Sequence, residues 1–200
     1  NDWIINASKQ EVSAYQEERL AEQLLPTLPQ PGQIVSEQDD QKVGTQTLLL
    51  SNGAKVILKP TTLKNDEILL TSYSPGGYSQ YALKDFQSAT NAVAIVTNSG
   101  LGPFNSLQLS RYLNGKHATA SPFINEIGEG IKAQANREDL QTAFELVYGY
   151  FTVPRLDREI NKTNLEKTKL SLKNRQQQAS TFFSDSIAAV LYNNDPRKTA

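Results

Sequence analysis

The 200-residue chain contains no cysteine and no methionine, one tryptophan and one histidine. Without cysteine there is no disulfide, no thiolate metal site and no thiol nucleophile, although the compartment stays open. A single His117 leaves no second imidazole for a His-based metal centre, and no partner nucleophile beside it is marked by sequence; it reads as a structural or solvent-facing residue. No apolar run approaches the roughly 20 residues that span a bilayer, so neither a membrane span nor a signal-type apolar region is expected in these residues. A formal net charge of -1 gives no global reason to expect nucleic acid. There is no G-x-S-x-G, no Walker-type loop and no EF-hand spacing, and Gly76-Gly77 and Gly100-Leu101-Gly102 read as turns. Asn6-Ala7-Ser8 and Asn161-Lys162-Thr163 fit the N-glycosylation rule, but the match is cheap and Asn161 falls within an expected helix.

What is present is a chain with 38% apolar residues and a mean hydropathy of -0.48, long enough for one sizeable core. Charge is unevenly spread. Residues 1–43 hold Asp2, Glu11, Glu17, Glu18, Glu22, Glu37, Asp39 and Asp40 against three bases. From Arg155 to Arg175 there are seven bases against Asp157, Glu159 and Glu166. Solvated faces are the ordinary explanation; a docking pair or a polyanion site is the sharper one.

The most informative stretch is 45–77. Two β-prone runs, Thr47–Leu50 and Lys55–Leu58, flank Asn52-Gly53, which predicts a tight hairpin with both central residues at positive φ. Pro60 ends pairing, 61–66 is a polar loop, and Glu67–Ser74 predicts a third strand continuing the same sheet before Pro75-Gly76-Gly77.

Upstream, Ser8-Lys9-Gln10-Glu11 is a capping box opening a helix to about Leu25, with Val12, Tyr15, Leu20 and Leu24 as its apolar positions. Pro26, Pro29, Pro31 and Gly32 mark a stiff connector over 26–44. Downstream, Phe86–Val96 predicts a helix with Phe86, Ala89, Val93 and Val96 on one face, and Ser106–Leu113 a shorter one ending at Asn114-Gly115. Strands follow over Lys116–Ser121 and Phe123–Ala135, with Pro122 at the bend. A helix capped by Asn136 has Leu140, Ala143, Phe144, Val147, Tyr148 and Phe151 on a face expected to be buried, and Pro154 ends it. A charged helix from Leu156 to about Gln178 and a last one, Thr181–Tyr192, burying Phe183, Ile187, Val190 and Leu191, complete the chain. Strands followed by segregated helices give an α+β class: a mostly antiparallel sheet, hairpin plus further strands, covered on one face by helices.

Leu50-Ser51-Asn52-Gly53-Ala54-Lys55-Val56-Ile57-Leu58 followed by Ser74-Pro75-Gly76-Gly77 resembles the opening of the repeated domain in the pitrilysin/insulinase-type zinc metallopeptidases, the inverzincins. The order of the later elements strengthens the resemblance, including an amphipathic helix closing at Phe151-Thr152-Val153-Pro154 before a charged helix with Glu159 and Glu166. In that family the first helix after the third strand carries His-x-x-Glu-His, two imidazoles holding zinc and the Glu serving as general base, with a further Glu ligand on the long helix. Here Phe86–Val96 contains neither His nor Glu. The resemblance therefore implies a degenerate, non-catalytic domain from the second half of a bacterial member. Residues 1–25 would be the last helix of a preceding domain, 26–44 the connector and 45–200 the domain itself. Zinc would sit only in the catalytic domain of the parent, with no catalytic or metal-binding residue and no cofactor in this segment. The partners implied are other domains of the same chain and a peptide substrate, in the bacterial envelope or periplasm. Within the clamshell that the resemblance implies, Tyr73, Tyr78 and Phe104 are the candidates for peptide or domain contact, and Tyr78→Ala is expected to change turnover more than stability. A scaffold domain of a wholly non-catalytic relative, or a polyanion-binding module, remains the alternative.

Overall fold

The computed structural model describes residues 21–175 and 177–198. Among them are seven strands and five α-helices: β1 (Ile34–Asp40), β2 (Thr45–Leu50), β3 (Lys55–Leu58), β4 (Ile68–Thr71), β5 (Ser74–Pro75), α1 (Leu83–Ser99), α2 (Ser106–Tyr112), β6 (Ala118–Ile124), β7 (Gly128–Ala135), α3 (Leu140–Thr152), α4 (Arg158–Arg175) and α5 (Ala179–Leu191). The capping box at Ser8–Glu11 lies outside the described residues. Residues 21–25, expected as the end of that helix, are not helical, yet Leu24 and Leu25 are buried.

β2 and β3 form the expected hairpin, with Leu49 opposite Lys55 and Gln46 opposite Leu58. Its loop is wider than the two-residue turn expected. Leu50 N donates to Ala54 O at 2.9 Å, closing three residues, and of Asn52 and Gly53 only Gly53 takes a positive φ, 84°. Asn52 instead accepts from Ala54 N through Oδ1 at 3.0 Å. This side-chain bond lets Asn52 stay at negative φ. The acidic stretch after the prolines is more than a spacer: β1 pairs antiparallel with β2 from Asp40–Thr45 to Ile34–Leu50, making a three-stranded meander.

β4 does not continue that meander, contrary to the sequence expectation. It pairs antiparallel with β7, Leu70 opposite Ala133, in a second sheet where β7 also pairs with β5 and β6. The polar loop around Pro60 and Asp66 breaks the run, and β7 offers both edges. Along β7, Ile131, Ala133 and Ala135 are buried while Lys132 and Gln134 point away, the period-2 alternation of a half-covered strand. The β6–β7 reversal is at Asn125, not Pro122: Asn125 Oδ1 accepts from Ile127 N (3.0 Å) and Gly128 N (2.8 Å). Pro122 lies inside β6 opposite Ile131. It is tolerated because the Asn125 N–Gly128 O bond sets a ladder phase in which the Pro122 nitrogen faces away from β7, and among the described residues β6 pairs on that one side only.

Helices α1 and α3 pack on β6, and α3 also on β7, placing both on one face of the sheet. One core cluster joins Leu24, Leu101, Phe104, Leu109 and Leu146; another joins Ala118, Ala135 and Ala143. Two helices do not bury the faces that their apolar periodicity predicts. α3 buries Thr142, Ala143, Leu146 and Gly149, leaving Phe144, Tyr148 and Phe151 exposed. α5 buries none of Phe183, Ile187, Val190 and Leu191. In both cases the period of the apolar stripe is as read, and nothing among the described residues lies over it. α3 also starts later than Asn136, whose Oδ1 accepts from Asp139 N (2.7 Å) and so caps a preceding turn.

Candidate peptide-contact and domain-interface surface

The arc from Tyr73 to Tyr81 is held against the β6–β7 reversal by backbone bonds. Gly76 N donates to Ile127 O (3.1 Å), Tyr78 N to Asn125 O (2.9 Å) and Ser79 N to Glu126 O (3.0 Å). Tyr73 is 60% exposed, and its ring lies where a Cβ on Gly128 would be, 2.3 Å from Cε2, so only glycine lets it rest there. Its hydroxyl donates to Ile127 O at 3.4 Å. Tyr73 thus presents a positioned aromatic ring to solvent. Tyr78 is half-buried, with its ring edge-on to Phe86 of α1 at 5.4 Å. Residues beyond α5 return to this arc: Arg197 lies over the Phe86 ring at 5.9 Å, and Lys198 pairs with Glu126 at 3.0 Å. That carboxylate raises the Lys198 pKa.

Phe104 is placed differently. It is 1% exposed and stacks on Tyr112 at 4.8 Å within the core, so it has no free face for a peptide. The reciprocal backbone bonds of Leu101 and Phe104 (2.9 Å each) turn this loop inward, which its Gly-Pro composition did not reveal. The three sequence candidates therefore separate into an exposed ring, a half-buried ring and a core residue.

Helix α1 occupies the place after β4 where the resemblance puts the metal motif. Its only acid is Asp85, and it carries no imidazole. α4 packs beside it, joined through Ser99: the fully buried hydroxyl donates to Ile95 O (2.7 Å) and accepts from Asp157 N (3.0 Å). Asp157 Oδ1 accepts from Glu159 N and Ile160 N, both at 3.1 Å, capping α4. Glu166 pairs with Lys169 at 3.0 Å on the exposed side. The donor set between these helices does not fit zinc, since a carboxylate without imidazoles is a poor tetrahedral site. Among the described residues no group of three His, Cys, Asp or Glu side chains could hold a metal ion.

His117 lines an open cavity of 510 Å³ with Lys64, Asp66, Glu67, Lys116 and Asn136. The acids there already serve the fold: Glu67 pairs with Lys64 (2.6 Å), and Asp66 Oδ1 accepts from Arg137 N (3.0 Å). No helix among the described residues is long and apolar enough to cross a membrane.

No family model matches the chain. In sequence it is 25% identical over 193 residues to a zinc protease PQQL-like protein of Arabidopsis thaliana, covering 95% of this chain and 18% of that one. Its fold is similar to that of the periplasmic protease PqqL of Escherichia coli, with a TM-score of 0.75 and 19% identity over 93% of this chain and 20% of that one. It is equally similar to the ferredoxin protease FusC, solved in complex with Arabidopsis ferredoxin, with a TM-score of 0.75 and 20% identity over 94% and 21% of the two chains. The chain therefore spans about a fifth of the length of these relatives.

Proposed function

We propose that this chain, a relative of the pitrilysin-type zinc proteases in sequence and fold, is a non-catalytic domain of a larger peptidase. In this reading it walls the substrate chamber and helps bind unfolded or short peptides while a zinc-bearing domain elsewhere hydrolyses the peptide bond. The observation that carries the reading is a helix in the right place with the wrong residues: α1 follows β4 and packs against the charged helix α4, yet it offers neither imidazole nor Glu. Such a domain contributes positioning and exclusion of bulk rather than bond-breaking. No residue here takes part in the chemical step. Zinc, in the catalytic domain of the parent, would activate the attacking water.

Tyr73 is the proposed peptide contact, with Tyr78 bracing the arc behind it. An exposed, positioned aromatic ring adds apolar area at low entropic cost, which suits extended peptides of varied sequence. Location in the bacterial envelope or periplasm, as the Escherichia coli relative is described, belongs to the same proposal. In the full-length protein, Tyr73→Ala should raise KM for an unfolded peptide about three- to tenfold with kcat retained, the pattern of lost uniform binding. Unchanged KM would remove Tyr73 from the peptide path.

A further inference from the structure

Helix α5 has its faces reversed for a helix in water. Phe183, Ile187, Val190 and Leu191 stand at i, i+4, i+7 and i+8, the spacing of a core-facing stripe, and are 67%, 43%, 82% and 71% exposed. Its less exposed side is small or polar: Thr181, Asp185, Ala188 and Ala189. Asp185, the only charged residue between Ala179 and Leu191, is engaged by Arg175 of α4 at 2.5 Å. Burying large apolar side chains is favourable, and four of them share this exposed stripe.

The helix is also tied at its middle and beyond its C-terminal end. The Arg175–Asp185 pair joins it to α4, and beyond it the Lys198–Glu126 pair and the Arg197–Phe86 contact fasten the following residues to the β6–β7 reversal and α1. The stripe is therefore presented outward by an anchored helix.

We infer that the Phe183–Ile187–Val190–Leu191 stripe is an internal interface, covered by an uncharged apolar surface from another part of the same polypeptide. This rests on the reading of the chain as one domain of a larger protease. Two observations select the occupant. The stripe carries no charge, so an ionic partner gains nothing there. The relatives are about five times longer than the segment they share with this chain, leaving some four-fifths of the polypeptide to supply the cover.

The absence of cysteine in these 200 residues permits a direct test. Val190→Cys and, as an exposed control, Leu63→Cys (Leu63 is 92% exposed) are introduced singly into the full-length protein, and maleimide labelling at each position is followed by peptide mass. The thiol at position 190 should react at least tenfold more slowly than the one at position 63. Leu191→Cys serves as a second variant should Val190→Cys fail to fold. Comparable rates at the two positions overturn the inference. Protection that disappears on dilution overturns it too, because the cover is then a second copy. Chelator-sensitive cleavage, measured on the same preparation, reports separately on the peptidase reading: a protected thiol in an inactive protein keeps the interface and removes the protease.

Discussion

The Tyr78 ring meets the Phe86 ring edge-on, with centroids 5.4 Å apart and planes at 89°. This contact joins the Gly-rich arc to α1, so Tyr78 holds structure as well as facing the candidate surface. Tyr78→Ala should destabilise the protein by about 0.5–1.5 kcal/mol from the ring pair alone, before any loss of buried area. Tyr78→Phe, which keeps the ring, should unfold within about 0.5 kcal/mol of the parent. Denaturant unfolding of both variants checks this; equal losses would assign the effect to the hydroxyl.

Gly128 and Tyr73 act as a unit, since the ring fills the space of the absent Cβ. Gly128→Ala should displace the ring outward while changing stability by no more than about 1 kcal/mol, because the clash is with the far end of a side chain and glycine is unfavourable in strands. Its effect on peptide KM should match that of Tyr73→Ala, and the double variant should be no worse than either single one. Additive effects would separate the two residues.

Much of this architecture was legible locally. Asn52-Gly53 and its flanking runs place β2 and β3, and the Phe86/Ala89 spacing gives the buried side of α1, because hairpins and helix faces are written in neighbouring residues. The partner of β4 was not legible: Leu70 pairs with Ala133, and no local pattern chooses between the open edge of β3 and β7. The stripes of α3 and α5 show the converse limit. Periodicity says that Tyr148 or Ile187 belongs to an apolar face, but not which surface meets it. Phe104 looked like a loop aromatic by position, and the Leu101–Phe104 turn folds it into the core.

Leu24 is fully buried beside Leu101 and Phe104, so the residues before the prolines contribute to this unit's core whatever the domain division. Leu24→Ala should cost about 2–5 kcal/mol, the range for a large-to-small change in a packed core. Thermal unfolding of the full-length protein measures it, and a loss below about 0.5 kcal/mol would mean that the site is filled from elsewhere.

Burial raises the pKa of Tyr150, whose ring packs on the same cluster. A raised folded-state value means that the unfolded chain ionises first. This contribution is therefore complete below the ordinary tyrosine value of about 10 and is lost as pH rises through the folded-state value. Stability should fall above about pH 10, and Tyr150→Phe should flatten that fall. An identical alkaline slope in the variant would assign the loss to other groups.

The central claim is that this chain shapes a peptidase without performing the hydrolysis. Cleavage of an unfolded peptide by the full-length protein, with and without a zinc chelator, beside the 200-residue chain under the same conditions, tests it most directly. The account predicts chelator-sensitive cleavage by the full-length protein and none by the 200-residue chain. Cleavage by the 200-residue chain alone would contradict it.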